Sequence, residues 1–191
     1  MNPLLSLRRE HQLLTGLTNA LDAFGQTLRR SGRFVQQEIR DFARSFSVFA
    51  DSLHYEKEEQ ILVPFLVHHG FDYNGPLLLE VREEHSLHRS LIEFLSHAGQ
   101  RRGSLGKFDQ QRLCSTIATL ANGQRQLAQK QEAELFPTIA TRLAPDTLQH
   151  LLLELKRFDH HHVDTLVEMR SLIHSLSMRH RESRAARSPT A

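Results

Sequence analysis

The chain has 191 residues, of which 39% are hydrophobic, so it is long enough to form a domain whose core needs no disulfide. Its one cysteine, Cys114, excludes an internal disulfide and a cysteine-based zinc cluster, and it favours a reducing compartment. The formal net charge is +2, but residues 179–191 hold four arginines against one glutamate, so the rest of the chain is slightly acidic and is not expected to bind nucleic acid.

Helical spacing of apolar residues extends along almost the whole chain, and glycine and proline are confined to a few breaks, so the fold class is predicted to be all-α. Asn2 and Pro3 form a typical helix start, and this first helix is predicted to end at Ser31. The next helices are predicted over about 34–69, 77–98, 108–143 and 145–178. Short loops between the first four indicate an up-down four-helix bundle over residues 1–143, to which a long C-terminal fifth helix is added.

The fifth helix, residues 145–178, carries an apolar seam at spacings of three and four residues. Such a seam suits packing over the bundle or a homodimer, and two polar seam positions, Asp159 and His162, are expected to pair across an interface. The neighbouring tract His160–His162 is similar in composition to metal-binding tracts, but a fifth helix is not expected to donate a ligand inside a four-helix core. Residues 179–191 are predicted to form a basic disordered tail.

No N-terminal segment combines a basic start with an apolar run and a small-residue cleavage site, so no export signal is predicted. The longest apolar runs are far shorter than a membrane span. The sequence therefore predicts a cytoplasmic protein that does not interact with a membrane.

Two pairs of segments match each other and indicate a duplicated helical hairpin. Residues 8–13 resemble residues 82–87, which places His11 and His85 at equivalent positions 74 residues apart. Residues 54–64 resemble residues 127–137 at an offset of 73 residues. Because the two offsets are nearly equal, helices one and two form the first copy and helices three and four form the second.

His54 and Glu58 are the strongest candidates for metal ligands. They are four residues apart, so they lie one turn apart on the same helix face, which is predicted to point into the bundle. A buried carboxylate needs an ionic partner, hydrogen bonds or a metal ion. His11 and His85 interrupt the apolar faces of two other helices, and three imidazoles with one carboxylate suit a borderline metal ion. Hydrogen-bonded core histidines without a metal are the alternative.

Together these motifs resemble the haemerythrin-like family, the HHE cation-binding domain, over about residues 4–142. The resemblance rests on His11, His54-x-x-x-Glu58-Glu59 with Pro64, Glu84-His85, and Glu132 with Pro137. It implies a four-helix bundle that holds non-haem iron, often as a pair of irons bridged by carboxylates. It also implies a role in carrying oxygen or in sensing oxygen, nitric oxide or redox state. Other roles that it implies are iron handling and repair.

The chain departs from the family pattern at two positions of the fourth helix, where Leu127 and Gln131 replace the second histidine and glutamate. Leucine cannot ligate a metal, and a neutral amide is a poor substitute for a bridging carboxylate. We therefore predict a mononuclear site. Iron is the expected ion, although the same ligands accept zinc or manganese. The predicted ligands are His11, His54, Glu58 and His85.

Other side chains are candidates for supplementary roles. His88, Glu134 and His162 are weighed as additional ligands, and Gln124 and Gln131 as hydrogen-bond partners of a ligand or a metal-bound water.

The leading functional hypothesis is a metal-binding protein that senses or handles iron, oxygen or nitric oxide. The alternative is a degenerate, metal-free bundle that acts as an interaction or regulatory module through its fifth helix. A mononuclear iron enzyme is a third hypothesis, but no phosphate-binding glycine loop, nucleophile elbow or catalytic triad supports it.

Overall fold

The computed structural model describes residues 4–101, 103 and 105–185, with side chains described as far as His180, and it confirms the all-α prediction. Within these residues there is no strand, and none of the helices is long and apolar enough to cross a membrane. The predicted helix start at Asn2 and Pro3 lies outside the described residues. Six helices are present: α1 (Leu5–Ser31), α2 (36–68), α3 (Pro76–Gln100), α4 (107–142), α5 (Pro145–His161) and α6 (Val163–Ala185).

Two of the long helices, α2 and α4, contain wide π-helical stretches. In α2 the α-helical segment Gln36–Ser45 is followed by the π-helical stretches Phe46–Tyr55 and Glu58–Leu62 and then by Val63–His68. In α4 the segment Lys107–Lys130 is followed by the π-helical turn Gln131–Leu135 and then by Phe136–Arg142.

A proline explains the turn that α2 and α4 have in common. Pro64 and Pro137 each follow the π-helical turn by two residues. Proline lacks the N–H that would bind the carbonyl four residues earlier, and its ring crowds that carbonyl, so the preceding turn widens. The two turns, Glu58–Leu62 and Gln131–Leu135, begin 73 residues apart, which is the repeat offset.

The bundle is formed by α1 to α4, with α1 packed on α4, α2 on α3 and α3 on α4. Its interior contains two apolar clusters rather than one. The first includes Leu14, Phe46, Ile92 and Leu120, and the second includes Leu7, Leu62, Val81 and Phe136. Along each helix the two clusters are separated by buried polar residues, so a polar layer crosses the middle of the bundle.

The C-terminal region forms two helices, and the prediction of one continuous fifth helix over 145–178 is wrong. The chain breaks at His162, whose φ of −113° and ψ of 17° lie outside the α-helical range. After the break α6 runs along α1 and part of α2 and extends to Ala185, so the first part of the predicted tail is helical. Residues 186–191, the end of that tail, lie outside the described residues.

The predicted apolar seam is buried within the chain itself. Leu152 and Leu155 of α5 and four residues of α6 are almost completely buried against the bundle. Covering the bundle, which was one of the two expected roles, therefore accounts for the seam. The α6 residues concerned are Leu166, Met169, Ile173 and Leu176.

Candidate metal centre

The polar layer brings three of the four predicted ligands into one group. His11 on α1 and His54 and Glu58 on α2 each have a potential ligand atom within 4.8 Å of the other two. Their side chains are buried, at 3%, 3% and 0% exposure. The three groups are therefore close enough to share one cation and are shielded from bulk water.

The fourth predicted ligand, His85 on α3, lies on the other side of Glu58. Its Nε2 atom is 3.2 Å from Glu58 Oε2, whereas His54 Nε2 is 3.7 Å from Glu58 Oε1. The carboxylate of Glu58 thus lies between two imidazoles. Neither Glu58 Oε1 nor His85 Nε2 forms a hydrogen bond that would satisfy it in this buried layer. Unsatisfied atoms of this kind are costly unless a cation binds them.

Each of the three histidines directs its other ring nitrogen, Nδ1, to a carboxylate. His11 Nδ1 is 3.1 Å from Glu132 Oε1, His54 Nδ1 is 2.9 Å from Glu10 Oε2, and His85 Nδ1 is 2.9 Å from Glu59 Oε1. An ionised carboxylate only accepts hydrogen bonds, so in the neutral ring Nδ1 carries the proton and Nε2 keeps its lone pair for an ion. Carboxylates in this position are typical of histidines that ligate metals.

Two of these hydrogen bonds connect the two copies of the hairpin. His11 of the first copy pairs with Glu132 of the second, and His85 of the second copy pairs with Glu59 of the first. His11 and His85 are 74 residues apart, and Glu59 and Glu132 are 73 residues apart. The sequence duplication therefore appears in the structure as two reciprocal contacts between the copies.

Two carboxylates beside the histidines, Glu58 and Glu59, have lowered pKa values and are ionised at neutral pH. Burial alone would raise the pKa of Glu58, but the nearby His54 and the contact with His85 outweigh it and hold this pKa at about 2. Burial would also raise the pKa of Glu59, and the contacts with His85 and Arg89 hold it at about 2. Burial and the neighbouring His54 lower the pKa of His11, which favours the neutral imidazole that binds metals.

His85 differs from His11, because its surroundings favour the doubly protonated ring. Burial would lower the pKa of His85, but the contacts with Glu58 and Glu59 raise it above its ordinary value. A proton on Nε2 then offsets the charge of Glu58 Oε2, 3.2 Å away. The same atom pair can be bridged by a metal ion, so the donor set is suited to a cation.

At the two substituted positions the second copy offers neither an imidazole nor a carboxylate. Gln131 Nε2 donates a hydrogen bond of 2.9 Å to Glu58 Oε2, so Gln131 is a partner of the carboxylate, as one of its predicted roles required. Leu127 belongs to the second apolar cluster, the one that contains Leu7 and Leu62. The stretch that carries His54 is π-helical, whereas the stretch that carries Leu127 is regular α-helix.

His88 lies outside the group of candidate ligands and has other partners. Burial raises the pKa of Tyr55 well above its ordinary value, so its phenol stays protonated and donates to His88 Nδ1 at 3.1 Å. Gln124 Nε2 is 3.2 Å from the same nitrogen, and His88 Nε2 is 3.4 Å from Glu84 Oε2. Tyr55 also stacks on His85, with ring centroids 3.9 Å apart, so this cluster supports the position of His85.

The remaining candidates do not join the polar layer. Glu134 is exposed on the π-helical turn of α4. In the C-terminal tract, His161 and His162 place Nδ1 at 2.6 and 2.9 Å from the carbonyls of Arg157 and Phe158, as suits side chains at the end of a helix. Asp159 forms an ion pair with Lys57 rather than with His162.

Sequence reasoning missed the hydrogen-bond partners of the ligands, namely Glu10, Glu59, Glu132 and Lys57. A signal for three of them was present, because a glutamate precedes His11 and follows Glu58, and each has a counterpart at the repeat offset. Lys57 also has a counterpart at the repeat offset, Lys130.

A family model, the haemerythrin HHE cation-binding domain, matches residues 2–139. The matched region contains α1 to α3, all of α4 except its last three residues, and all four predicted ligands. No curated protein and no solved structure matches the chain.

Proposed function

The chain belongs to the haemerythrin HHE cation-binding domain family, and we propose that it binds one metal ion, iron in the first instance, between His11, His54, Glu58 and His85. One observation carries the proposal. Three buried imidazoles each direct Nδ1 to a carboxylate, which leaves their Nε2 atoms for an ion beside the buried carboxylate of Glu58.

Each residue has a separate task in this proposal. The three histidines supply neutral nitrogen ligands, and Glu58 supplies a negative charge in a layer that excludes water. Gln131 fixes the orientation of Glu58 by donating to Oε2. The absence of ligand atoms at Leu127 and of a charge at Gln131 favours one ion over a bridged pair.

We propose that the bound ion serves to sense or handle iron, oxygen or nitric oxide. Non-haem iron with histidine and carboxylate ligands supplies redox chemistry and a position at which a diatomic molecule is recognised. The four proposed ligands are at most 3% exposed, so the layer admits a diatomic molecule far more readily than an organic substrate. This burial argues against an enzyme that acts on such a substrate.

Metal content measured by mass spectrometry on anaerobically purified protein tests the proposal. We expect about one iron per chain, an optical spectrum that changes on exposure to air or to nitric oxide, and loss of the iron in the double variant His54→Ala, Glu58→Ala. The matched control is Glu93→Ala, His97→Ala, which removes an exposed glutamate and histidine four residues apart on α3. Iron retained by the first double variant would rule out this ligand set.

The second candidate function is a metal-free regulatory module. Leu127 and Gln131 favour it, because they remove two ligands of the family pattern. Wild-type protein that contains no metal and takes up none, while it keeps its full helicity, would favour this candidate.

Two further proposals concern the cellular location and the oligomeric state of the protein. The cytoplasm is its proposed location, because its one cysteine, Cys114, is free and buried. A homodimer through the C-terminal helices would use their outer face, where Val163 and Val167 are 49% and 60% exposed. Sedimentation of the full chain tests the dimer, and a monomer at high micromolar concentration would contradict it.

A further inference from the structure

A lysine next to the proposed ligand Glu58 is completely buried. Lys57 has 0% exposure, and its ammonium group forms ion pairs with two carboxylates, those of Glu10 and Asp159. An ammonium group in such a place is tolerated only when it is paired. Glu10 lies on α1 in the bundle, whereas Asp159 lies on α5, beyond the region that the family model matches.

The two oxygens of Glu10 have different partners. Oε1 contacts the ammonium group of Lys57, and Oε2 is 2.9 Å from His54 Nδ1. Lys57 and His54 therefore fix the same carboxylate from two sides. Two ion pairs therefore connect Asp159 to Lys57 and Lys57 to Glu10, and a hydrogen bond connects Glu10 to His54.

The contact with α5 lies beside the break between the two C-terminal helices. The backbone carbonyl of Asp159 accepts a hydrogen bond of 3.2 Å from the N–H of His162, the residue at which the chain turns into α6. The ring of Phe158 lies 5.6 Å from the ammonium nitrogen of Lys57. The last turn of α5 thus covers the buried lysine and also defines the break.

We propose that Asp159 is a positioning residue that couples the C-terminal helices to the metal site. The coupling rests on the proposed metal binding, since it acts through His54 as a ligand. Asp159 holds Lys57, Lys57 holds Glu10, and Glu10 keeps the proton of His54 on Nδ1 so that Nε2 faces the ion. Because coupling between two sites is reciprocal, metal binding in turn stabilises the last turn of α5 and the break at His162.

The affinity for Fe²⁺, measured anaerobically by competition with a chelating indicator, tests the first half of the coupling. Removing a direct hydrogen-bond partner of a ligand typically weakens metal binding about 10–100-fold, and Asp159 acts one step further away, so for Asp159→Asn we expect a weakening of about tenfold. The matched control Glu154→Gln neutralises a half-buried carboxylate on the same helix, one in an ion pair with Arg157, and should leave the affinity within about twofold.

A combined variant distinguishes coupling from general destabilisation. If Asp159 acts through Glu10, the loss of Fe²⁺ affinity in the double variant Asp159→Asn, Glu10→Gln is smaller than the product of the two single losses. Losses that simply multiply would mean that the two residues act independently, and the coupling would be overturned.

Hydrogen exchange tests the second half of the coupling, the effect of metal binding on the last turn of α5. In the wild-type chain, added Fe²⁺ should slow amide exchange across residues 155–166 about tenfold, matching the effect of Asp159 on affinity, and this slowing should disappear in Asp159→Asn. If the wild type binds Fe²⁺ but exchange does not change and Asp159→Asn binds equally well, the coupling fails and the proposed function stands. A wild type that binds no Fe²⁺ overturns both.

Discussion

Gln131 donates a hydrogen bond of 2.9 Å to Glu58 Oε2, and this contact joins the two equivalent positions of the duplicated hairpin. In the first copy the position holds a carboxylate, and in the second it holds an amide. The amide cannot repel Glu58, and it occupies the place from which a second carboxylate would approach. The arrangement therefore suits one ion held mainly by the first copy.

Restoring the second copy's ligands should create a place for a second ion. In the double variant Leu127→His, Gln131→Glu we expect about two irons per chain instead of about one, measured by mass spectrometry. Glu84, the counterpart of Glu10, is available to accept a hydrogen bond from the new imidazole, since its present contact is His88 at 3.4 Å.

The single variant Gln131→Glu is the control for the restored site. It adds a buried negative charge without the second imidazole, so it should not raise the iron content above about one per chain. Unchanged iron content in the double variant, in protein with wild-type helicity, would show that the second half of the bundle lost more than its two ligands.

The hydrogen bond between Glu132 and His11 should contribute to metal affinity. Glu132→Gln keeps an acceptor near His11 Nδ1 but removes its charge, so we expect Fe²⁺ binding to weaken about 10–100-fold. Glu134→Gln is the control, because Glu134 is exposed on the same π-helical turn. Equal affinities in the two variants would mean that Glu132 does not orient His11.

The sequence predicted the fold class, the four bundle helices and the position of the polar layer, because each of these follows from patterns along single helices. Apolar spacing identifies the buried face, and a histidine that interrupts it, such as His11 or His85, marks the layer. The offset of the repeat, seen first in the sequence, reappears in the paired contacts around Glu58.

What the sequence did not predict depends on contacts between distant segments. The pairing of His11 with Glu132 spans 121 residues, and only the packing of α1 on α4 brings the two side chains together. The break at His162 has no proline or glycine to mark it. The break allows Leu155 of α5 to pack in the second apolar cluster and Leu166 of α6 to pack in the first, and no local pattern reveals this difference.

His88 should make the stability of the metal-free protein depend on pH. Burial and the neighbouring His85 lower the pKa of His88 from 6.5 to about 4, so the folded state favours the neutral ring. The unfolded chain binds this proton first, so the stabilisation is complete above pH 6.5 and is lost as the pH falls towards 4. The loss amounts to about 3 kcal/mol.

Urea denaturation of the metal-free protein at several pH values measures this effect. The variant His88→Gln should show a smaller decrease in the free energy of unfolding between pH 6.5 and 4 than the wild type. Parallel pH profiles for the two proteins would mean that His88 is not held neutral in the folded state.

Gly25 allows α1 and α4 to approach closely. A Cβ atom at this position would lie 2.7 Å from Ile117 Cγ2, which is too close for two carbon atoms. Although alanine is the better helix former, Gly25→Ala should lower the free energy of unfolding by about 1–2 kcal/mol because the helices must separate.

The matched background for this substitution is Ile117→Ala, which removes the atom that the new Cβ would meet. In that background Gly25→Ala should stabilise the protein by up to about 1 kcal/mol, as expected for a helix interior. A destabilising effect of equal size in both backgrounds would mean that the packing at Ile117 is not responsible.

The shared π-helical turn also indicates in which order the chain acquired its features during evolution. Glu58–Leu62 and Gln131–Leu135 have the same wide turn and the same proline two residues later. The simplest history is that a single ancestral hairpin already had this turn when its gene segment was duplicated. In that history the two copies were identical at first, so the differences between His54 and Leu127 and between Glu58 and Gln131 arose after the duplication.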